Sequence, residues 1–137
     1  METIAFMNQK GGVGKTTSAV NIGAGLARLG RRVLLIDVDP QAHATISLGL
    51  PEEMEKTIYE LLTDAAPAAD VIIERDGLAV IPSGLQLASA EMQLVGLPAR
   101  EMIMKAAIAD IVENFDYVLI DCPPSIGALT MNALAAA

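Results

Sequence analysis

In the stretch NQKGGVGKTT, Asn8 to Thr17, two lysines flank a run of glycines. A Gly-rich turn between a strand and a helix makes an anion site for a physical reason. Glycine lets successive backbone N–H groups converge on phosphate oxygens, and the helix N-terminus adds partial positive charge. Lys15 would neutralise the β- and γ-phosphates of a nucleotide, and the Thr16 hydroxyl would ligate Mg²⁺. Gly11, Gly12, Val13, Gly14 and Thr17 complete the candidate nucleotide-binding loop. Seven specified positions in K-G-G-x-G-K-T-T, at about 7% each, arise by chance on the order of 10⁻⁸. The standard motif, G-x-x-x-x-G-K-[ST], wants glycine where Gln9 stands, and Lys10 is additional to it.

Hydrolysis needs a metal shell and a positioned water, and open parallel sheets place such groups at strand ends. Asp121 closes the apolar run YVLID and is expected to hold the Mg²⁺ shell. Asp37 and Asp39 close VLLIDVD on the same edge. They are expected to diverge to opposite sides of the chain, one serving the metal and the other the water. His43 reads as a polar loop residue, since phosphoryl transfer leaves the protein little proton chemistry. Cys122 reads as a buried, inert thiol.

The elements that must position these groups can be read from the apolar pattern. TIAFM, RVLLID and YVLID are short apolar runs of the kind that form buried parallel strands. Between the first two, Ile22, Leu26 and Leu29 recur at helical spacing, with Gly30 as a stop. Ala19, Gly23 and Ala27 would let that helix lie close to a sheet. A polar loop follows Pro40, then a short helix over TIYELLTD. DVIIE and LAVIPS read as strands about the turn-like RDG. A helical region runs from about Leu85, interrupted near Gly96–Pro98. Met104, Ile108, Ile111, Val112 and Phe115 mark its buried face. An Ala-rich helix follows CPPS.

Strand alternating with helix predicts an α/β fold, a doubly wound parallel sheet of the P-loop NTPase kind. Residues 1–137 are expected to form one domain. Ala135–Ala137 carry no stop signal, so the chain is expected to break off inside a helix, before the last strands. TIAFM would then be left with an exposed, apolar edge.

Composition narrows the field. The net charge is −8, unevenly spread. Five Lys/Arg against three Asp/Glu give residues 1–50 a charge of +2, and four against fourteen give residues 51–137 a charge of −10. An acidic half repels a phosphate backbone, so any DNA contact is assigned to residues absent from this chain. No apolar run approaches the ~18 residues of a membrane span. METIAFMNQ has no basic leader, and one cysteine forms no internal disulfide or CxxC knuckle, which points to the cytoplasm.

KGGVGKTT with Lys10 resembles the deviant Walker A loop of the ParA/MinD group of ATPases, LLIDVDPQ their second motif, and VLIDCPPS their Walker B. Together with LQLASAEMQLV and DCPPSIGALTMNAL, the pattern is most similar to the ParA/Soj chromosome- and plasmid-partitioning ATPases. The resemblance runs from about Ile4 to Ala137, roughly the first half of a typical member. It implies an ATPase with Mg²⁺, weak until a partner stimulates it, that closes ATP into a homodimer. Lys10 would be the signature lysine reaching the partner subunit's phosphates. Lys10, Lys15 and Asp39 would be the catalytic residues, with Asp39 positioning the water. Thr16 would hold Mg²⁺, and Asp37 and Asp121 would do so through water. The implied partners are a ParB-type centromere-binding protein and nonspecific DNA, with the full-length protein associated with the nucleoid. Many relatives have Gly-Asn after DPQ where this chain has Ala42-His43. The alternatives are a MinD-like membrane-associated division regulator and a fragment that binds nucleotide without hydrolysing it. An iron–sulfur carrier of the same group would need paired cysteines, and Cys122 stands alone.

Overall fold

A computed structural model describes residues 1–7, 14–51 and 54–137. Five strands form one sheet in the order β1-β5-β2-β4-β3. They are β1 (Glu2–Phe6), β2 (Val33–Asp37), β3 (Ile73–Arg75), β4 (Leu78–Ile81) and β5 (Tyr117–Asp121). The first four in that order run parallel, and β3 pairs antiparallel with β4. The register sets Phe6, Asp121 and Asp37 in one row across three strands, at their carboxyl ends. This is the expected α/β architecture.

Period-two alternation splits the buried strands between two apolar layers. Leu34, Ile36, Ala79, Ile81, Val118 and Ile120 face one layer. It is closed by α3 (Ile58–Leu62), α5 (Leu87–Val95), α6 (Ile103–Ile108) and α7 (Ala128–Ala136). Val33, Leu35, Leu78, Val80 and Leu119 face the other, against α1 (Lys15–Arg28).

Helix α1 lies on the sheet through the small residues, as expected. Ala19 and Gly23 are its sheet-facing residues, while Ile22 and Leu29 are 44% and 77% exposed. A Cβ on Gly23 would stand 3.4 Å from both Leu119 and Leu78, so the helix lies too close for a large side chain there. The small residues form the seam and the larger ones turn outward. Gly30, at φ 83°, ends the helix as expected: its N–H bonds Ala27 O and the Arg31 N–H bonds Leu26 O, a Schellman arrangement.

Two readings are corrected. The loop after Pro40 contains a helix, α2 (His43–Ser47), too short to show a period but fixed by burial of Ala44 and Thr45. Asp70 and Val71 of DVIIE belong to α4 (Ala68–Val71), because Ala68 and Val71 bury together one helical turn apart. Only Ile73–Arg75 remains strand. Asp76 and Gly77, both at positive φ, make the two-residue β3–β4 turn, a type I′ signature. The short helix α3 starts with a capping box, Thr57 with Glu60. Among the described residues β1 has no partner on its outer side, and Ile4 is 38% exposed. No described helix is long and apolar enough to cross a membrane.

Candidate nucleotide site

The site is built where α1 begins over the carboxyl ends of β1, β5 and β2. Gly14 precedes α1 at φ 73°, a left-handed backbone that a side chain would strain, and its carbonyl accepts the first helical bond from Ser18 N at 2.8 Å. That geometry leaves Lys15 as the first helical residue, with its ammonium buried in an ion pair with Asp121 Oδ1. The Thr16 hydroxyl donates to Asp121 Oδ2 at 2.9 Å. Lysine, hydroxyl and carboxylate thus meet at one helix N-terminus. Thr17 faces solvent. Lys10, Gly11, Gly12 and Val13 lie outside the described residues.

Residues two apart in an extended run share a face, so the expected divergence of Asp37 and Asp39 does not occur. Val38 continues the layer of Leu34 and Ile36, which leaves both aspartates on the α1 side of the sheet. Asp37 is fully buried. Its Oδ2 accepts Thr45 N at 3.0 Å and Thr45 Oγ1 at 2.7 Å, and its Oδ1 accepts Asp39 N at 3.1 Å. Burial raises the Asp37 pKa to about 7, the Asp121 charge adds to the rise, and the Thr45 and Asp39 donors only partly oppose it. Asp39 is 4% exposed and its Oδ1 accepts Gln41 N at 3.0 Å.

Two residues that the sequence reading passed over complete this cluster. Ser83 Oγ donates to Asp39 O at 2.6 Å, and Ser83 N donates to Thr45 Oγ1 at 2.9 Å. A signal for Ser83 was available, since it follows a buried strand on the edge where ligands gather. Thr45 carried none. His43 opens α2 and is exposed, and burial drives the Cys122 thiol to about 12, so neither is poised for chemistry. Among the described residues no three His, Cys, Asp or Glu side chains converge on a cation position. A Mg²⁺ ion suits that sparse set, because it binds through one or two protein oxygens and completes its octahedron with water and phosphate. Thr16 and Asp121 supply hard oxygens of that kind, so the residues present fit the ion.

An AAA domain family model (AAA_31) matches residues 1–137. The chain belongs to this AAA domain family. It is a homologue of the Soj/ParA partitioning proteins. To the sporulation initiation inhibitor protein Soj of Bacillus subtilis it is 51% identical over 136 residues, covering 97% of the chain and 54% of that protein. To the chromosome-partitioning ATPase Soj of Treponema pallidum it is 45% identical over 138 residues, covering 99% of the chain and 54% of that protein. The AAA domain therefore spans about half the length of these curated relatives. Among solved structures it is similar to cobyrinic acid a,c-diamide synthase from Mycobacterium smegmatis with bound ATP analog and magnesium. The TM-score is 0.97 at 42% identity, over 100% of this chain and 57% of that one. The resemblance read from KGGVGKTT, LLIDVDPQ and VLIDCPPS is borne out at the level of the family.

Proposed function

We propose that this AAA domain binds and hydrolyses ATP with Mg²⁺, as an ATP-dependent dimer switch in the segregation of chromosome or plasmid DNA. The observation that carries the reading is the meeting of Lys15, Thr16 and Asp121 at the N-terminus of α1, beside the buried pair Asp37 and Asp39. The solved relative holding an ATP analog and magnesium supports the ligand, and the Soj relatives support the process. When bound, Mg²⁺ neutralises charge developing on the β- and γ-phosphates. Thr16 and Asp121 would hold the ion, Asp121 and Asp37 through water. Lys15 exchanges its carboxylate partner for phosphate oxygens. Gly14 and the N–H groups opening α1 orient the phosphate chain. Asp39 holds the attacking water.

Lys10 is assigned the role the resemblance implies, a charge supplied in trans to the partner subunit's nucleotide. Such a contribution is worth about 10³–10⁵ in rate in related phosphoryl transfers. Turnover is weak until a ParB-type partner stimulates it. Nonspecific DNA binds through residues outside this acidic chain, in the cytoplasm at the nucleoid.

The test is solution mass by light scattering, with and without Mg-ATP. ATP should convert monomer to dimer, Asp39→Ala should strengthen the dimer by trapping ATP, and Lys10→Ala should abolish it. Mass that ignores nucleotide in every variant overturns the switch. A second reading, a nucleotide-dependent synthase, follows from the likeness to the Mycobacterium smegmatis cobyrinic acid a,c-diamide synthase. Turnover that begins only when cobyrinic acid is added would select it over partitioning.

A further inference from the structure

We propose that Thr45 and Ser83 are positioning residues that set the Asp39 carboxylate for ATP hydrolysis, an inference that rests on the ATPase reading above. The two side chains come from different elements, α2 and the loop after β4, and both are fully buried. They meet at one bond, Ser83 N to Thr45 Oγ1 at 2.9 Å. From there the network reaches Asp39 by two routes. Thr45 Oγ1 donates to Asp37 Oδ2 at 2.7 Å, and Asp37 Oδ1 in turn accepts Asp39 N at 3.1 Å. Ser83 Oγ donates to Asp39 O at 2.6 Å, a carbonyl that also accepts Ala42 N at 2.8 Å.

Asp39 is thereby gripped at both backbone polar groups. Its carboxylate is fixed at Oδ1 by Gln41 N, while Oδ2 accepts no hydrogen bond among the described residues. A carboxylate held by its backbone and one oxygen, with no donor from the described residues on the second, is an arrangement that can orient a water. Water placement in such reactions is sensitive: a misplacement of about 1 Å can cost on the order of 100-fold in rate. Thr45 and Ser83 touch neither Lys15 nor Thr16. Thr45 also bonds Asp37, whereas among the described residues the Ser83 hydroxyl bonds only Asp39 O, so Ser83→Ala moves Asp39 while the Thr45–Asp37 bonds stay in place.

The test measures Mg-ATP binding stoichiometry by calorimetry and turnover per binding-competent site, on the full chain. Thr45→Val keeps the shape and removes the hydroxyl. It should lower kcat by roughly 10- to 100-fold with KM for ATP changed less than about twofold. Thr45→Ser restores the hydroxyl and should recover kcat to within about threefold. Ser83→Ala should lower kcat by roughly fivefold, and it decides the matter alone if Thr45→Val does not fold. Normalising to competent sites removes the loss that a merely structural role would produce. Wild-type kcat per site in Thr45→Val or Ser83→Ala overturns the positioning role. A wild-type chain that binds Mg-ATP and never hydrolyses it overturns the ATPase reading, and this inference with it.

Discussion

Two buried polar networks tie the loops and helices of this molecule, and they differ in charge. In the middle of α7, Asn132 presents a neutral amide to three backbone groups. Its Oδ1 accepts Met104 N at 2.9 Å, and its Nδ2 donates to Arg100 O and to Ala128 O, each at 2.8 Å. Supply and demand match, and no charge is buried. At the strand ends, Asp37 receives as many hydrogen bonds, yet burial outweighs them and drives its pKa to about 7. An amide that satisfies three backbone groups is a lock. A carboxylate made unfavourable by its own burial is poor structural material, and such perturbed groups concentrate where chemistry is done.

Breaking the lock should have a large effect on stability. Asn132→Ala leaves the buried Met104 N unsatisfied, at about 1–3 kcal/mol, whereas Arg100, in an exposed turn, can turn its carbonyl to water. A loss of about 2–3 kcal/mol is expected, a large part of the 5–15 kcal/mol typical of a domain. Urea unfolding checks it: a lower midpoint with an unchanged slope supports the account, and a midpoint within error of wild type contradicts it.

The charged network should instead show itself through pH. The folded pKa of Asp37, about 7, lies above the ordinary carboxylate value near 4, so the folded state holds this proton more tightly than the unfolded one. Its favourable contribution is complete below about pH 4 and is lost as pH rises toward 7. Between those limits wild type should lose about 3 kcal/mol relative to Asp37→Asn, measured in buffer without divalent cations. Parallel stability curves for the two proteins from pH 4 to 7 would show that Asp37 ionises normally.

The same contrast explains what could be read in advance. TIAFM, RVLLID and YVLID announced their strands because a buried parallel strand is apolar on both faces. The glycines, Lys15, Thr16 and Asp121 were legible because phosphate chemistry demands those types at that spacing. Asp37 and Asp39 were found as residues, but their side of the sheet was misjudged. Thr45 and Ser83 were missed because their roles come from contacts 38 residues apart in sequence. Helix α2, which carries Thr45, is too short to leave a period. On α1 the small residues Ala19 and Gly23 foretold the seam, while Ile22 and Leu29 of the apolar repeat turn outward, because the distance between helix and sheet, set at Gly23, decided which face was buried.

The finest comparison is between two alanines in left-handed backbone, one near each network. Ala42, at φ 57°, lies between Asp39 and Thr45 and is buried, whereas Ala99, at φ 51°, precedes the turn Arg100–Met102 and is exposed. Glycine relieves about 1–2 kcal/mol of left-handed strain at either position and gives back about 0.5–1 kcal/mol in unfolded-chain entropy. At Ala99 nothing else changes, so Ala99→Gly should gain roughly 0.5 kcal/mol. At Ala42 the substitution also removes a buried methyl, worth about 0.8 kcal/mol, and the balance should fall close to zero. Thermal midpoints of the two variants decide it. A gain at Ala99 with none at Ala42 supports the argument, and equal gains would mean that the Ala42 methyl contributes no packing to the strand-end network.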